Sequence, residues 1–547
     1  MSRIRHMGNS LFTSLGFFSV LLVAVALVGV LLPIVWKGSG AVVFQGTVDF
    51  RRLQSDYYGR GDHDAVQQEF RQAMALRMAA YDLLERHRWL NEDELGERAK
   101  TLYTQCKELI EHRTGDASLP PDQQLSEEEA TVLRRTCGRI QSALVKMFDA
   151  DTRDDVDRLA RKVLDNPDNE LLLRKLPQAA RMVELASDYR KLVAPVDLSQ
   201  RQRLKQPYME LKRLVNKLLG PSPYDRPPSS DNDKFGITHW PQAQEIAQHV
   251  LLDTQYENGV QKMVPREKFF EGTELAQMFP IIREQLPRMM RPQWSFYWQY
   301  FFDDARPGHG HFFGGIGPEV LGTILLTVLA ILFALPLGVI SAAYLVECTR
   351  EGLVVNIIRV CINTLAGVPS IVFGLFGLAF FVGYLLPALC HAKGSNILAG
   401  ALTLALLVLP VVIRASEEAI RSVPATYREA ALGLGASKLR CFLTVTLPAA
   451  LPGVLTGVIL SMSRAAGETA PILFTAAVAS GNVPTSLLEP TRTLSYGSYD
   501  ISVGDTIGRE VPYNQFGMVS ALVLLVLILN VVAIVVRSRV SRRLRGQ

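Results

Sequence analysis

The chain has 547 residues, a formal net charge of +5 and 48% hydrophobic residues. This charge is modest for such a length and gives no indication of a nucleic-acid partner. Because one long charged block alternates with several apolar runs, the placement of Lys and Arg carries more information than their sum.

The first 36 residues predict a membrane helix. Arg3 and Arg5 precede an apolar run from Leu11 to Val35, and about 20 helical residues suffice to cross a bilayer core of about 30 Å. A secretory signal has a shorter apolar core and a small-residue cleavage site. We therefore expect a retained helix over residues 1–36, with its N-terminus in the cytoplasm.

Residues 37–316 follow this helix and form a polar block with mainly helical patterning. Apolar residues recur three and four apart in Asp64–Leu90 and in Arg201–Leu219, the spacing of amphipathic helices. Ser126 opens a further helix, because a Glu three residues later completes the spacing of a capping box. A Pro- and Ser-rich stretch over residues 220–236 predicts an internal boundary.

The predicted boundary divides the block into a helical segment, 37–219, and a second segment, 220–316. Seven aromatic residues crowd the end of the second segment: Trp294, Phe296, Tyr297, Trp298, Tyr300, Phe301 and Phe302. Their position beside an apolar run favours an aromatic belt at a membrane surface. A ligand-stacking surface is the alternative.

Two of the six cysteines, Cys106 and Cys137, fall in the polar block. If the block lies outside the cytoplasm, these two residues could form a disulfide bond. The other four lie in or beside apolar runs, where a buried free thiol is the usual state. No CxxC motif or Cys/His cluster indicates a metal site.

Five more apolar runs follow and bring the predicted number of membrane spans to six. They cover approximately Val320–Leu345, Ala366–Leu389, Ile397–Ile413, Pro452–Ala479 and Phe516–Val536. We assign these five spans to a core domain over residues 317–539, which leaves a basic tail over residues 540–547.

The basic residues indicate the orientation of the spans. Six spans place both termini on one side, together with the loops that follow the second, fourth and sixth spans. These loops carry Arg350 and Arg359; Arg414, Arg421, Arg428, Lys438 and Arg440; and Arg537, Arg539, Arg542, Arg543 and Arg545. Because Lys and Arg collect in cytoplasmic loops, we expect both termini in the cytoplasm and residues 37–316 in the periplasm.

The sequence lacks the GxxxxGK[ST] loop that cradles nucleotide phosphates. It also lacks the HExxH, GxSxG and protein-kinase signatures of common enzyme classes. We therefore expect a non-catalytic protein that binds no cofactor itself.

The loop after the fourth span, residues 415–450, contains a fixed pattern of small and turn-forming residues. We predict a short helix over Tyr427–Leu432 and a tight turn at Gly435. A second helix, Ser437–Leu447, follows, and we expect Pro448 to turn the chain toward the membrane. A short projecting helix suits docking in a groove of another protein, whereas an ordinary amphipathic loop is the alternative. The skeleton of the pattern is Glu429, Ala430, Ala431, Gly435, Val445, Leu447 and Pro448.

Arg464 and Glu468 lie within the predicted fifth span. Charges at that depth cost at least about 2.5 kcal/mol each on insertion, so they mark a pathway or a pair. Four residues apart on one helix, they would share a face, and such a pair could simply fix packing. Alternatively, Arg464 offers a fork that matches an oxyanion, and Glu468 could accept a hydrogen bond from hydrogen phosphate. A carboxylate would repel sulfate, which carries no proton at neutral pH.

The segment from Ile362 to Gly374 enters the third span with Gly and Pro spacing that interrupts a helix. Asn363, Thr364 and Ser370 are polar and could face a substrate path at the interruption. Packing of helices through small residues explains the glycines equally well.

These three segments, together with GGIGPEVLGTILLT at the second span, resemble the signatures of the PstA-type permeases of phosphate ABC importers. The resemblance covers about Gly314–Arg539. The 415–450 segment resembles the EAA loop of ABC-importer permeases in general, and RAAGETAPILFTA is the sequence motif most specific to phosphate systems.

The resemblance implies an all-α polytopic membrane protein with the six transmembrane helices of the ABC type I importer permease fold. It also implies a homologous second permease, two ABC ATPase subunits that use ATP and contact the EAA loop, and a periplasmic phosphate-binding protein, all at a lipid membrane. Arg464 and Glu468 would then matter for transport. A typical member joins its first two spans by a short loop, so residues 37–316 are a departure. We expect them to form a helical accessory domain that assists docking or gates access.

Two other functions remain as alternatives. The first is a permease for another oxyanion, such as sulfate or molybdate, which would explain the EAA loop but not the presence of Glu468. A membrane-anchored extracytoplasmic sensor would need an output module, and the cytoplasmic segments are all short.

Overall fold

The computed structural model describes residues 2–114, 124–225, 234–257, 260–304, 313–349, 352–481, 483–503 and 511–544. Two of the residues that indicated the orientation, Arg350 and Arg545, lie outside these ranges. The chain divides into two compact units. The membrane unit consists of Met1–Phe44, Gln54–His63 and Trp294–Gln547, and the insertion unit consists of Gln45–Leu53 and Asp64–Gln293.

Helices make up most of the described chain. The first elements are α1 (Ser2–Ser39), β1 (Val43–Gly46), α2 (Val48–Asp56), α3 (His63–Arg86), α4 (Glu92–Arg113), α5 (Glu127–Phe148), α6 (Arg153–Leu164), α7 (Asn169–Lys175), α8 (Ala180–Val193), α9 (Arg201–Leu219), α10 (Trp240–Leu251), β2 (Leu252–Glu257), β3 (Val260–Pro265), α11 (Met278–Met290) and β4 (Gln293–Phe296). Strand β1 pairs with β4, and β2 forms an antiparallel hairpin with β3.

The remaining elements are all helical. They are α12 (Gly317–Ala343), α13 (Leu353–Ala366), α14 (Ser370–Gly377), α15 (Leu386–Cys390), α16 (Ile397–Arg421), α17 (Ala425–Gly433), α18 (Lys438–Cys441), α19 (Leu447–Gly467), α20 (Ala470–Thr475), α21 (Leu494–Val503) and α22 (Pro512–Leu544). Short π-helical segments follow α12, α14 and α18 at Tyr344–Cys348, Leu378–Leu385 and Phe442–Thr446.

Six helical segments of the described chain are long and apolar enough to cross a bilayer, which is the predicted number. They are Leu15–Ser39, Gly317–Cys348, Ser370–Cys390, Ile397–Arg421, Lys438–Gly467 and Pro512–Arg543. Of the six, α16 is the most buried, whereas the apolar stretch of α1 is almost wholly exposed. The predicted all-α polytopic fold is therefore confirmed.

Small residues let α16 and α19 approach closely. Gly453 and Gly457 on α19 face Ala419 and Ala415 on α16, and a Cβ atom added at Gly453 would lie 2.7 Å from Ala419 Cβ. Such close contact is how membrane helices associate where lipid and side chains are equally apolar. Helix α12 packs against both, so these three helices form the centre of the membrane unit.

The fifth apolar helix differs from its prediction, Pro452–Ala479, at both ends. It begins at Lys438, because α18, a π-helical segment and α19 follow one another without a break. The turn expected at Pro448 is wrong: this residue lies inside the continuous helix, where the π-helical turn just before it accommodates the missing N–H donor. The helix ends at Gly467.

The insertion unit has its own hydrophobic core, with side chains from every helix between α3 and α11. Leu218 and Leu219 of α9 and Ala243 and Ala247 of α10 belong to this one core. The predicted boundary over residues 220–236 therefore does not separate two compact units, because the helices on either side of it pack together. Residues 226–233 of that stretch lie outside the described part of the chain.

A buried ion pair organises this core. Arg77 of α3 and Asp49 of α2 are 0% and 1% exposed, and Arg77 Nη2 lies 2.5 Å from Asp49 Oδ2. The guanidinium also donates to the carbonyl oxygens of Leu219 and Met289, which lie at the ends of α9 and α11. Because a buried charge is costly unless it is paired and hydrogen-bonded, Arg77 ties α2 and α3 to the ends of α9 and α11, which are distant in sequence.

Local predictions in the insertion unit are confirmed. Helices α3 and α9 occupy the two stretches with amphipathic spacing. Helix α5 begins with a capping box, in which the Ser126 side chain accepts from the Glu129 N–H and the Glu129 side chain accepts from the Ser126 N–H.

The aromatic stretch before α12 divides between core and surface. Tyr297 and Tyr300 are buried, whereas Trp294 and Phe302 are 59% and 85% exposed. Tyr300 donates a hydrogen bond to Asn514 Oδ1 over 2.7 Å. The buried tyrosines therefore hold the membrane unit together, and the exposed rings are the ones available for an aromatic belt.

Candidate functional site

The fifth membrane helix ends beside two charged residues. Helix α19 stops at Gly467, Glu468 has extended backbone angles (φ −75°, ψ 131°), and α20 begins at Ala470. An unbroken helix is disfavoured here because Pro471 has no N–H to donate to the carbonyl of Gly467. The expectation that Arg464 and Glu468 share a helix face is therefore wrong, since Glu468 lies just past the helix end.

The break nevertheless brings the two side chains together. Arg464 Nε donates to Glu468 Oε1 over 3.5 Å, and the side chains are 37% and 18% exposed. Among the described residues the Arg464 guanidinium has no further hydrogen-bond acceptor, although it carries five N–H donors. The distance between Arg464 and Glu468 is long for a hydrogen bond, and other N–H groups of Arg464 have no acceptor among the described residues. An anion could therefore bind Arg464 without displacing a tight internal contact.

Neighbouring elements hold the break in place. Ser495 Oγ donates to the backbone carbonyl of Glu468 over 3.1 Å, which satisfies an acceptor freed at the helix end. Helix α20 packs against α14, and a Cβ atom added at Gly374 would lie 2.9 Å from Pro471 Cα. Helix α14 of the third apolar helix therefore packs directly against the segment that follows the break.

The polar residues predicted for the third segment lie apart from this break. Asn363 is exposed on α13, the Thr364 hydroxyl donates to a carbonyl of its own helix, and Ser370 begins α14. The described structure gives none of the three a hydrogen bond to Arg464 or Glu468. The helix interruption predicted for this segment is confirmed, because α13 and α14 are separate helices.

Asn363 instead faces a cavity of about 380 Å³ within the membrane unit. Glu417 holds two arginines there, with its Oε1 3.1 Å from Arg359 Nε and 3.0 Å from Arg421 Nη2. Three guanidinium groups and two carboxylates line the cavity, which leaves a net positive charge of one. Its lining residues are Arg359, Ile362, Asn363, Arg414, Glu417, Glu418 and Arg421.

The 415–450 segment contains an exposed helix, α17, none of whose residues is buried. The predicted turn follows it, because Gly435 has φ +83°, a left-handed conformation that glycine adopts without strain. Ser437 then caps α18 by accepting a hydrogen bond from the Arg440 N–H. Of the skeleton residues, Glu429, Ala430 and Ala431 lie on α17, Gly435 lies in the turn, and Val445, Leu447 and Pro448 lie in the helix that follows.

One ion pair at α17 was not predicted. Arg428 Nε lies 3.2 Å from Oε1 of Glu347, in the π-helical segment that follows α12. Arg428 Nη2 also donates to the carbonyl of Ile420 over 2.6 Å. In the sequence Arg428 is one basic residue among several, and its pairing with a carboxylate 81 positions earlier has no local signal.

A second unpredicted ion pair lies at the other end of α12. Glu319 is fully buried, and its Oε1 lies 3.6 Å from Arg492 Nη1. Two residues further on, the Leu494 N–H donates to Thr323 Oγ1 over 3.0 Å. These contacts fix to α12 the start of α21, whose Ser495 binds the Glu468 carbonyl. The signal available in the sequence was Glu319 itself, a charged residue within the segment GGIGPEVLGTILLT that would need a partner of opposite charge.

Cys106 on α4 and Cys137 on α5 lie side by side in the core of the insertion unit as buried free thiols. Their mutual hydrogen bond, together with burial, raises the pKa of Cys137, and the same bond lowers the pKa of Cys106. The structure thus brings the predicted pair together, and the disulfide stays a prediction. Among the described residues, no group of three or more His, Cys, Asp or Glu side chains is placed to hold a metal ion.

Comparison with known proteins assigns the membrane unit to a family. The family described as binding-protein-dependent transport system inner membrane component matches residues 334–546. The probable ABC transporter permease protein YqgI of Bacillus subtilis is 33% identical over 232 residues, which are 40% of this chain and 76% of YqgI. The probable phosphate transport system permease protein PstA of Methanocaldococcus jannaschii is 34% identical over 40% of this chain and 73% of its own length. The chain belongs to the PstA-type ABC transporter permeases.

This PstA-type chain is therefore an ABC importer permease subunit and a multi-pass inner-membrane protein. It is 40% identical to the phosphate transport system permease protein PstA 1 of Mycobacterium tuberculosis over 162 residues, which are 30% of this chain and about half (51%) of PstA 1. The family match lies wholly within the membrane unit. A solved inward-facing structure of the MetNI methionine ABC transporter aligns at 18% identity with a TM-score of 0.30, over 42% of this chain and 94% of that one. That similarity is too low to support a structural argument.

Proposed function

We propose that this chain is the permease subunit of an ATP-driven phosphate importer and forms half of the translocation path, with a homologous second permease as the other half. The observation that carries the proposal is the break at Glu468, where a partly exposed Arg464 with open donors stands beside a carboxylate. The names of the relatives from M. jannaschii and M. tuberculosis, which are phosphate transport system permeases, support the same substrate.

The two side chains suit hydrogen phosphate in complementary ways. A guanidinium presents parallel N–H groups that match two oxygens of a tetrahedral oxyanion. A carboxylate accepts a hydrogen bond from the P–OH group, which hydrogen phosphate has and sulfate lacks. Glu468 would therefore favour phosphate by attraction and disfavour sulfate by repulsion. The arginine-lined cavity at Asn363 is a further anion-compatible region of the same unit.

Substitution of Glu468 by Gln tests this assignment. In proteoliposomes that contain the complete transporter, we expect E468Q to lower phosphate uptake at least about tenfold and to let sulfate compete with phosphate. The matched control is E489Q, because Glu489 is a half-buried carboxylate that caps a loop turn through Thr485 and Ser486. Unchanged phosphate uptake together with unchanged sulfate exclusion would refute the proposal, and sulfate uptake by the parent complex would favour a permease for another oxyanion.

The α17 helix is proposed to dock an ATPase subunit, which would use the ATP that this chain does not bind. Tyr427 and Leu432 are exposed on α17, and Leu434 directly after it is 90% exposed. Apolar side chains on a projecting helix suit a groove in another protein. We expect L434D to release the ATPase subunits during affinity purification, and L487D, an exposed leucine in the loop after α20, to retain them.

The orientation and the insertion unit complete the proposal. With both termini in the cytoplasm, residues 37–316 lie in the periplasm, where a phosphate-binding protein docks, and two ATPase subunits bind on the cytoplasmic side. We propose that the insertion unit assists docking or gates access. Deletion of residues 50–290 with all six spans retained should impair uptake at limiting binding protein. Unchanged uptake by a correctly inserted deletion variant would exclude both roles.

A further inference from the structure

We propose that the ion pair between Arg428 and Glu347 is the mechanical link through which α17 moves α12. The proposal rests on the proposed docking of an ATPase at α17, and it assigns to Arg428 a positioning role. It therefore concerns how a displacement at the cytoplasmic helix is passed into the membrane unit.

In the described structure α17 packs against the π-helical segment Phe442–Thr446, and its charged contact with the end of α12 runs through Arg428. Because no residue of α17 is buried, the helix lacks an apolar anchor of its own that would carry a displacement inward. Val423, just before the helix, packs into a cluster with Ile420 and Ala342, which fixes the start of the segment but not the helix. Arg428 supplies the side-chain attachment, through Glu347 at 3.2 Å and the Ile420 carbonyl at 2.6 Å.

The pair is sheltered enough to persist during movement. The side chains of Arg428 and Glu347 are 22% and 23% exposed, and the facing atoms Nε and Oε1 are screened from solvent and form no hydrogen bond among the described residues, so their contact is purely electrostatic. Attraction between partly buried charges is weakened less by water and salt than attraction between exposed ones. An ion pair of this kind resists separation, because the attraction between the two charges persists as they move apart.

The receiving element is suited to pass the displacement on. Glu347 lies in the π-helical turn directly after α12, and such turns are frequent at functional sites. Helix α12 itself runs without a break for 27 residues, with Pro336 inside it, a length of about 40 Å. At its far end, Glu319 and Thr323 hold the start of α21, whose Ser495 binds the Glu468 carbonyl. A continuous series of contacts thus joins α17 to the break beside Arg464.

A double-mutant cycle tests the link in the intact transporter. The variants are R428Q, E347Q and the double variant, with R539Q as a matched control in the cytoplasmic end of α22. Each complex is reconstituted in proteoliposomes, and three quantities are measured: ATPase subunits retained on purification, ATP hydrolysis stimulated by the binding protein, and phosphate taken up per ATP hydrolysed. A purely structural role would lower the yield of complex and leave the last ratio unchanged.

We expect each single variant to retain its ATPase subunits and to lower the phosphate-to-ATP ratio at least about fivefold. The phosphate-to-ATP ratio of the double variant should be no lower than that of either single variant, because the two residues act as one link. The proposal is overturned if the ratio is unchanged, if the two losses multiply, or if either variant sheds its ATPase subunits. If the parent complex takes up no phosphate, the proposed substrate fails, and the pair is then judged by the same cycle on binding-protein-stimulated ATP hydrolysis.

Discussion

Removal of Arg77 should open the insertion unit far more than removal of a comparable surface arginine. In R77M, Asp49 would stay buried with the Gly236 N–H as its remaining hydrogen-bond donor, 3.3 Å away. The carbonyls of Leu219 and Met289 would also lose the donor that reaches them in the core. Breaking a buried ion pair by deleting one partner costs about 3–5 kcal/mol. Since about 1.36 kcal/mol corresponds to a factor of ten in an equilibrium constant, the population of molecules with an opened insertion unit should rise roughly 150- to 5,000-fold.

The matched control lies on the same helix. Arg86 pairs with Glu274 over 3.4 Å, but both side chains are about 60% exposed, and such pairs contribute about 0–1 kcal/mol. Hydrogen exchange of α3, α9 and α11 in the full-length protein measures the opening free energy of each variant. We expect R86M to match the parent to within about fivefold.

The reasoning has a second check in the partner residue. Replacing both members of a buried pair with apolar residues leaves no unpaired charge, so R77M combined with D49L should be more stable than R77M alone. If R77M shifts exchange no more than R86M, or if the double variant is less stable than R77M, the buried pair is not what holds α9 and α11 to α3.

Three further outcomes are expected. If the thiols of Cys106 and Cys137 pair in an oxidising compartment, alkylation under denaturing conditions without reductant should label neither, whereas labelling of both would contradict the pairing. G453A should lower the yield of folded complex, because its Cβ would lie 2.7 Å from a side chain of α16. The control G29A should leave the yield unchanged, because a Cβ atom there meets nothing within 4 Å. Equal yields from the two variants would show that α16 and α19 can separate at no cost. Burial lowers the pKa of His87. At pH values between this lowered pKa and about 6.5, the unfolded chain binds more protons than the folded protein does. The free energy of unfolding therefore falls as the pH drops through this range. Exchange at the end of α3, corrected for intrinsic rates, should therefore accelerate from pH 7.5 to 5.5, and H87Q should remove this dependence.

Local patterning predicted the elements well, because its causes lie within a few residues. The spacing in Arg201–Leu219 gave α9, and the capping box at Ser126 gave the start of α5. Long apolar runs gave the number of membrane helices, since crossing a bilayer sets a minimum length. Hydropathy could not locate the end of α19, however, because the residues after Glu468 are as apolar as those before Arg464. Pro471 was the available signal for the break.

The contacts that organise each unit are non-local and had no such signal. Arg428 and Glu347 are 81 residues apart, and Arg77 is 212 positions from Met289, whose carbonyl it binds. Nothing in one stretch specifies its distant partner, and many exposed arginines in this chain have the same local surroundings. The candidate site was predicted as a pair of residues, Arg464 and Glu468, whereas the contact from the start of α21 that positions Glu468 was not predicted.

The packing of α1 has a consequence for how the protein is made. This helix packs most extensively against α22, where Ser520 Oγ donates to the Ile34 carbonyl and Lys37 lies over the Phe516 ring. The two helices stand at opposite ends of the chain, and a ribosome adding about 5–20 residues per second needs roughly 25 to 95 s to pass from one to the other. Throughout this interval α1 lacks its main packing partner, while the four intervening membrane spans are made, so the contact between α1 and α22 can form only when α22 enters the membrane.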